Sequence, residues 1–110
     1  MINFYQCRNL DETKEFYLKL GLTISRIEPQ CIIFDSGYGE IGFLETVSYS
    51  PLPYSCISFV KETKGEVDKL HQDFLDFAIS SPKQHEKYPV YSFFMKDPNH
   101  LTVEFQVFTQ

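Results

Sequence analysis

The sequence predicts an α+β fold of two tandem βαβββ modules in a single domain, residues 1–110, with the modules covering about 1–48 and 55–110. Three observations predict it. A strand, a helix and three strand-like runs follow one another in the same order in each half. The candidate helix caps Asn9 and Thr63 lie 54 residues apart, as do Ile2 and Cys56 near the starts of the two opening strands, and a matched offset is the mark of a repeat. The turn-rich stretch SYSPLPYS, Ser48 to Ser55, sits close to the midpoint.

In the first half, INFYQCR reads as a strand. NLDETKEFYLKLGL follows as a helix: Asn9 caps it, Glu12 sits three residues on, Gly21 stops it, and Leu10, Phe16, Tyr17 and Leu20 form its apolar face. TISRIE, QCIIFD and EIGFLETV are then three short strands, separated by Glu28-Pro29 and by the turn from Gly37 to Gly39. In the second half SCISFVK reads as a strand. Thr63 and Glu66 form a capping box ahead of Val67, Leu70 and Phe74 at helical spacing, and FAIS, VYSFFMK and LTVEFQVF complete the module as strands.

Bulk properties narrow the function classes. The chain is 43% hydrophobic and 16% aromatic, the profile of a globular domain rich in strand formers. A net charge of -5 opposes binding to phosphate backbones, so nucleic acid is not an expected partner. No run approaches the roughly 20 apolar residues of a membrane span, and MINFYQCRNL lacks the apolar core of a signal peptide; the expectation is a cytoplasmic protein. Cys7, Cys31 and Cys56 are odd in number and widely spaced, which indicates reduced thiols rather than a disulfide framework or a structural zinc site.

The last strand carries the chemistry. Its two-residue period sends Leu101, Val103, Phe105 and Val107 to one face and Thr102, Glu104 and Gln106 to the other. A sheet covered by a helix on one side can use its other side as a pocket, so Glu104 and Gln106 are candidate site residues; the plain alternative is a solvated face. Cys56, on the first strand of the second module, is read either as a site residue or as a small buried one. It has no adjacent histidine or helix N-terminus to activate it as a nucleophile. Aromatic residues Phe4, Phe43 and Tyr54 are candidate pocket walls, against the reading that they fill the core. His71, on the second helix, and His85, in the SSPKQHEKYP loop, read as surface histidines.

The βαβββ duplication, the NLDETKEFYLKLGL segment and the KDPNHLTVEF segment together resemble the vicinal oxygen chelate superfamily, the group of glyoxalases, bleomycin-resistance proteins and extradiol dioxygenases. The likeness is carried by Asn9-Leu10, Phe16-Tyr17, Leu20-Gly21-Leu22, Asp97-Pro98 and Glu104. It implies a cupped mixed sheet with the helices on its outer face. Metal-dependent members bind a divalent ion through the first and last strands of each module. On the shared signatures one ligand position falls on Glu104, the usual histidine positions fall on Ile2 and Cys56, and the last falls near Glu45 or, in another register, Gly42. Ile2 offers no donor.

His100 stands where the family's turn has glycine, and Asn99 is expected to supply the left-handed geometry there. The resemblance therefore implies a metal-free protein that binds a small organic molecule through Glu104, Cys56, Glu45, Phe43, Tyr54 and Gln106, and forms a homodimer. The alternative is a lyase, isomerase or dioxygenase using Mn, Ni, Zn or Fe, held by Glu104 and Glu45. A third reading is an interaction module with no small ligand.

Overall fold

The computed structural model describes residues 1–50 and 55–110. The chain divides into two compact units, Met1–Pro51 and Leu52–Gln110. The first contains β1 (Ile2–Cys7), α1 (Leu10–Leu20), β2 (Thr23–Glu28), β3 (Cys31–Asp35) and β4 (Glu40–Glu45). The second contains β5 (Cys56–Val60), α2 (Lys64–Asp73), β6 (Lys83–Gln84), β7 (Val90–Lys96) and β8 (Thr102–Phe108). Each unit is one four-stranded mixed sheet, in the orders β1-β4-β3-β2 and β5-β8-β7-β6. In both, the first strand runs parallel to the last and the remaining pairs are antiparallel. The two units are thus copies of one βαβββ topology.

The helix boundaries follow from local chemistry. Asn9 Oδ1 accepts the Glu12 N–H at 3.0 Å, a cap that typically contributes about 1 kcal/mol. At the other end Gly21 adopts φ 106°, and the bonds from Gly21 N to Leu18 O and from Leu22 N to Tyr17 O close the final turn. Thr63 Oγ1 caps α2 by accepting from Glu66 N at 3.1 Å. Glu66 Oε1 reaches back to the N–H of Glu62 at 3.2 Å, one residue earlier than the usual box.

Each sheet packs its own helix against one face. In the first unit Tyr17 of α1 meets Phe34 and Phe43, with ring centroids 5.6 and 4.9 Å away. In the second, Val67 of α2 and Phe74 at its C-cap are buried together with Phe93, Met95, Val103 and Phe105, and the Phe93 and Phe105 rings lie 5.6 Å apart. A fully buried aromatic of this kind contributes roughly 1.5–3 kcal/mol, so these small cores rest on their rings. Strict alternation along β8, with Val103, Phe105 and Val107 buried and Thr102, Glu104 and Gln106 half-buried, fixes which face carries polar groups.

Three expectations are corrected. FAIS is not a strand of the second sheet: it makes a single bridge, Ala78 to Met95, and the edge strand is the two-residue Lys83–Gln84. The DPNH turn does not use Asn99 for its left-handed residue. Asp97 Oδ1 accepts from the backbone of both Asn99 and Leu101, each at 2.8 Å, and this pins Asn99 in a buried position; His100 itself takes φ 63°. His71 is half-buried, not a surface residue, its ring edge-on to Phe93 at 5.1 Å.

Candidate functional site

Glu104 lies on β8, between β5 and β7, on the face opposite α2. Its partner in the parallel β5–β8 register is Ser58, and its partner on β7 is Phe94. Side chains of opposed residues emerge on the same face, so the ladder alone groups Cys56, Ser58, Phe94, Lys96, Thr102, Glu104 and Gln106.

Three of them form a closed hydrogen-bond set. Ser58 Oγ donates to Glu104 Oε1 at 2.8 Å, Gln106 Nε2 donates to Ser58 Oγ at 2.5 Å, and the same nitrogen reaches Glu104 Oε1 at 3.2 Å. The serine hydroxyl thus has its direction set, because its one proton goes to the carboxylate. Two residues along, Lys96 Nζ donates to Thr102 Oγ1 at 2.8 Å. Cys56 is exposed rather than buried, but partial desolvation still pushes its thiol above its ordinary range; the Glu104 charge adds to that, and Lys96 opposes it. Cys56 is consequently held as a thiol, the opposite of what a nucleophile needs.

The first unit has an equivalent position with different contents. Phe4 pairs with Gly42 across β1 and β4, as Ser58 pairs with Glu104 across β5 and β8. The Phe4 ring lies over Gly42: a Cβ there would fall 2.4 Å from Phe4 Cε1. Where one module holds a hydroxyl and a carboxylate, the other holds an aromatic ring over a bare backbone.

This settles the open register on β4. Gly42, not Glu45, corresponds to Glu104. Glu45 shares the parity of Ile41 and Phe43, which are buried on the α1 side. Its Oε2 accepts the N–H of Leu10 at 2.8 Å, so it caps α1, one of whose first four N–H groups needs an outside acceptor. It also borders a separate concavity of about 710 Å³ with Arg8, Gln30 and Tyr49. Glu45 thus lies on the α1 side of its sheet, away from the face that carries Gly42, and holds the first turn of α1. Phe43 is fully buried on the same side, its ring against Tyr17, which accords with the reading that it fills the core. Tyr54 lies outside the described residues.

The donor set does not fit a catalytic metal. Three protein ligands are the usual minimum, yet the residue opposite Glu104 is a serine and the first-module counterparts are Phe4 and Gly42. Among the described residues no group of three His, Cys, Asp or Glu is arranged to hold an ion. Phe94 and Lys96 share the Glu104 face but were not among the candidates from sequence. The signal was available: VYSFFMK alternates, and with Phe93 and Met95 in the core, Phe94 and Lys96 must face the other way.

No protein-family profile matches the chain, and no curated protein matches its sequence. Solved structures do match. A glyoxalase/bleomycin resistance protein/dioxygenase family enzyme from Burkholderia phytofirmans superposes with a TM-score of 0.86 at 20% identity, covering 97% of this chain and 96% of that one. Lactoylglutathione lyase from Agrobacterium tumefaciens gives 0.76 at 20% identity, covering 97% and 91%. The genomically encoded fosfomycin resistance protein FosX from Listeria monocytogenes gives 0.81 at 15% identity, covering 97% and 90%. The chain therefore has the fold shared by these glyoxalase/bleomycin resistance/dioxygenase structures.

Proposed function

We propose that this chain, with the fold of the glyoxalase and bleomycin-resistance proteins, binds a small organic molecule at Glu104 without a metal ion. The observation that carries the reading is the Ser58–Glu104–Gln106 set, three polar side chains from two strands ordered by their own hydrogen bonds on the sheet face opposite α2. Preorganised polar groups of this sort fix a ligand's orientation at little further entropic cost. The names of the similar structures, a lactoylglutathione lyase and a fosfomycin resistance protein, accord with a fold that serves small molecules. The proposal extends to a cytoplasmic homodimer. No helix among the described residues is long and apolar enough to cross a membrane.

Thermal denaturation in the presence of a library of small organic compounds tests the reading. A binder raises the melting temperature by mass action, and the Glu104→Ala protein should fold but lose that response. Addition of Mn, Ni, Zn or Fe to metal-free protein should leave the melting temperature unchanged. Stabilisation by one of these ions that disappears in Glu104→Ala would instead establish the metal-dependent enzyme.

A further inference from the structure

The hydrogen bonds around Glu104 are unevenly shared between its two oxygens. Oε1 takes both the Ser58 hydroxyl and the Gln106 amide, whereas Oε2 accepts nothing from the described residues. None of the ion pairs among the described residues includes Glu104. The cation on the same face, Lys96, directs its Nζ to Thr102. A half-buried carboxylate thus presents one unused oxygen, and Phe94 stands beside it in the β7–β8 register, its side chain also half-buried.

Resting on the binding reading above, we propose that the ligand of this site carries a protonated amine or an amidinium group, which is placed on Glu104 Oε2 beside Phe94. The chemistry narrows the class in three steps. An anionic ligand would bring a second negative charge against a carboxylate with no cation of its own, and the like charges repel. A neutral hydroxyl or amide could donate to Oε2, but a charge-assisted bond to a carboxylate is roughly twice as strong as a neutral one. Directly opposed residues on paired strands have Cβ atoms about 4.5–5.5 Å apart, so a cation on Oε2 is within reach of the Phe94 ring, which adds its own attraction. The field at Cys56 has the matching sign, since Glu104 disfavours the thiolate there. Ser58 and Gln106 then act as positioning residues: by saturating Oε1 they leave Oε2 as the oxygen that meets the ligand.

Benzylamine, benzyl alcohol and benzoate are near-isosteric probes that differ in charge at one end. Each would be titrated into the ¹⁵N-labelled full chain near neutral pH, following the amide signals of Cys56–Val60 and Thr102–Phe108. The expected result is that benzylamine shifts these signals with an affinity about tenfold above that of benzyl alcohol, or 1.4 kcal/mol, and that benzoate leaves them in place. Glu104→Gln should erase the preference for the amine with the rest of the spectrum unchanged. Ser58→Ala, which keeps the carboxylate but frees Oε1 from the hydroxyl, should keep the sign of the preference and weaken it. If benzyl alcohol or benzoate shifts the same signals as well as benzylamine does, the cationic class is overturned while the binding reading stands. If none of the three moves them, both fall.

Discussion

Phe4 lies across Gly42 at the position where the other module sets Ser58 against Glu104, so closely that a Cβ at residue 42 would fall 2.4 Å from the ring's Cε1. The obstruction is the far end of a side chain that is 49% exposed, so the ring can swing away, at the cost of its packing on the strand. Gly42→Ala should therefore destabilise the protein by about 1 kcal/mol, the low end of overpacking costs. In a Phe4→Ala background the same change should be neutral or stabilising, because alanine is favoured over glycine within a strand by roughly 0.5–1 kcal/mol. Chemical denaturation of the four proteins of this cycle gives the coupling directly. Additive effects would show that the ring does not rest on Gly42.

Glu45 and Glu104 are both strand carboxylates, Glu45 at the end of β4 and Glu104 within β8, yet they do unlike work. Glu45→Ala should lower stability by about 0.5–2 kcal/mol through loss of the Leu10 cap. Glu45→Gln should recover much of that, since the amide oxygen still accepts the N–H. Neither change should alter ligand-dependent stabilisation, whereas Glu104→Ala should abolish it. A Glu45→Ala protein of unchanged denaturation midpoint would remove the capping role.

Most of the fold was legible because its signals are local. Asn9, Gly21 and Thr63 announce helix ends through short-range hydrogen bonds, and alternation in LTVEFQVF sorts its residues whatever the partner strand. Glu104, Gln106 and Cys56 were reachable for that reason. The choice between Glu45 and Gly42 stayed open because register depends on strand pairing: in EIGFLETV only the burial of Ile41 and of Phe43, which meets Tyr17, tells that the odd positions face α1. That same burial sets Phe43 among the core rings. FAIS has the composition of a strand, but only Ala78 finds a bridge, and no sequence pattern would have chosen Lys83–Gln84 instead.

Cys56 offers a chemical reading of the field around Glu104. Partial desolvation first, and then the carboxylate, hold its thiol above the ordinary range, and Lys96 acts the other way. Iodoacetamide should therefore label Cys56 more slowly in the folded protein than in the unfolded chain at mildly alkaline pH. Glu104→Gln should raise the folded rate roughly two- to threefold and Lys96→Gln should lower it, with both effects shrinking as salt is added. The sign for stability follows: the native state holds this proton more tightly, so the contribution is fully present below the unfolded thiol's range and is lost as pH rises from there through the higher range of the folded thiol. Peptide mass mapping separates Cys56 from the buried Cys7 and half-buried Cys31. Equal rates in wild type and Glu104→Gln would show that the carboxylate's field does not reach the sulfur.

His100 supplies the last test, because it occupies a conformation its side chain disfavours. Its φ of 63° is left-handed, a region that costs a residue with a Cβ about 1–2 kcal/mol. The turn is imposed from outside: Asp97 Oδ1 binds the N–H groups of Asn99 and Leu101, and His100 N donates to Asp97 O at 3.0 Å. The His100 side chain is exposed, so its removal uncovers no core surface. His100→Gly should relieve the strain but enlarge the unfolded ensemble, and the balance of the two is a net stabilisation of about 0.5–1 kcal/mol. That gain should appear as a rise of roughly 2–5 °C in melting temperature for a domain of this size. Asp97→Ala removes the fixed acceptor and should lower the melting temperature, which separates the turn's anchor from its strained residue. A His100→Gly protein no more stable than wild type would mean that the imidazole contributes an interaction worth the strain it imposes.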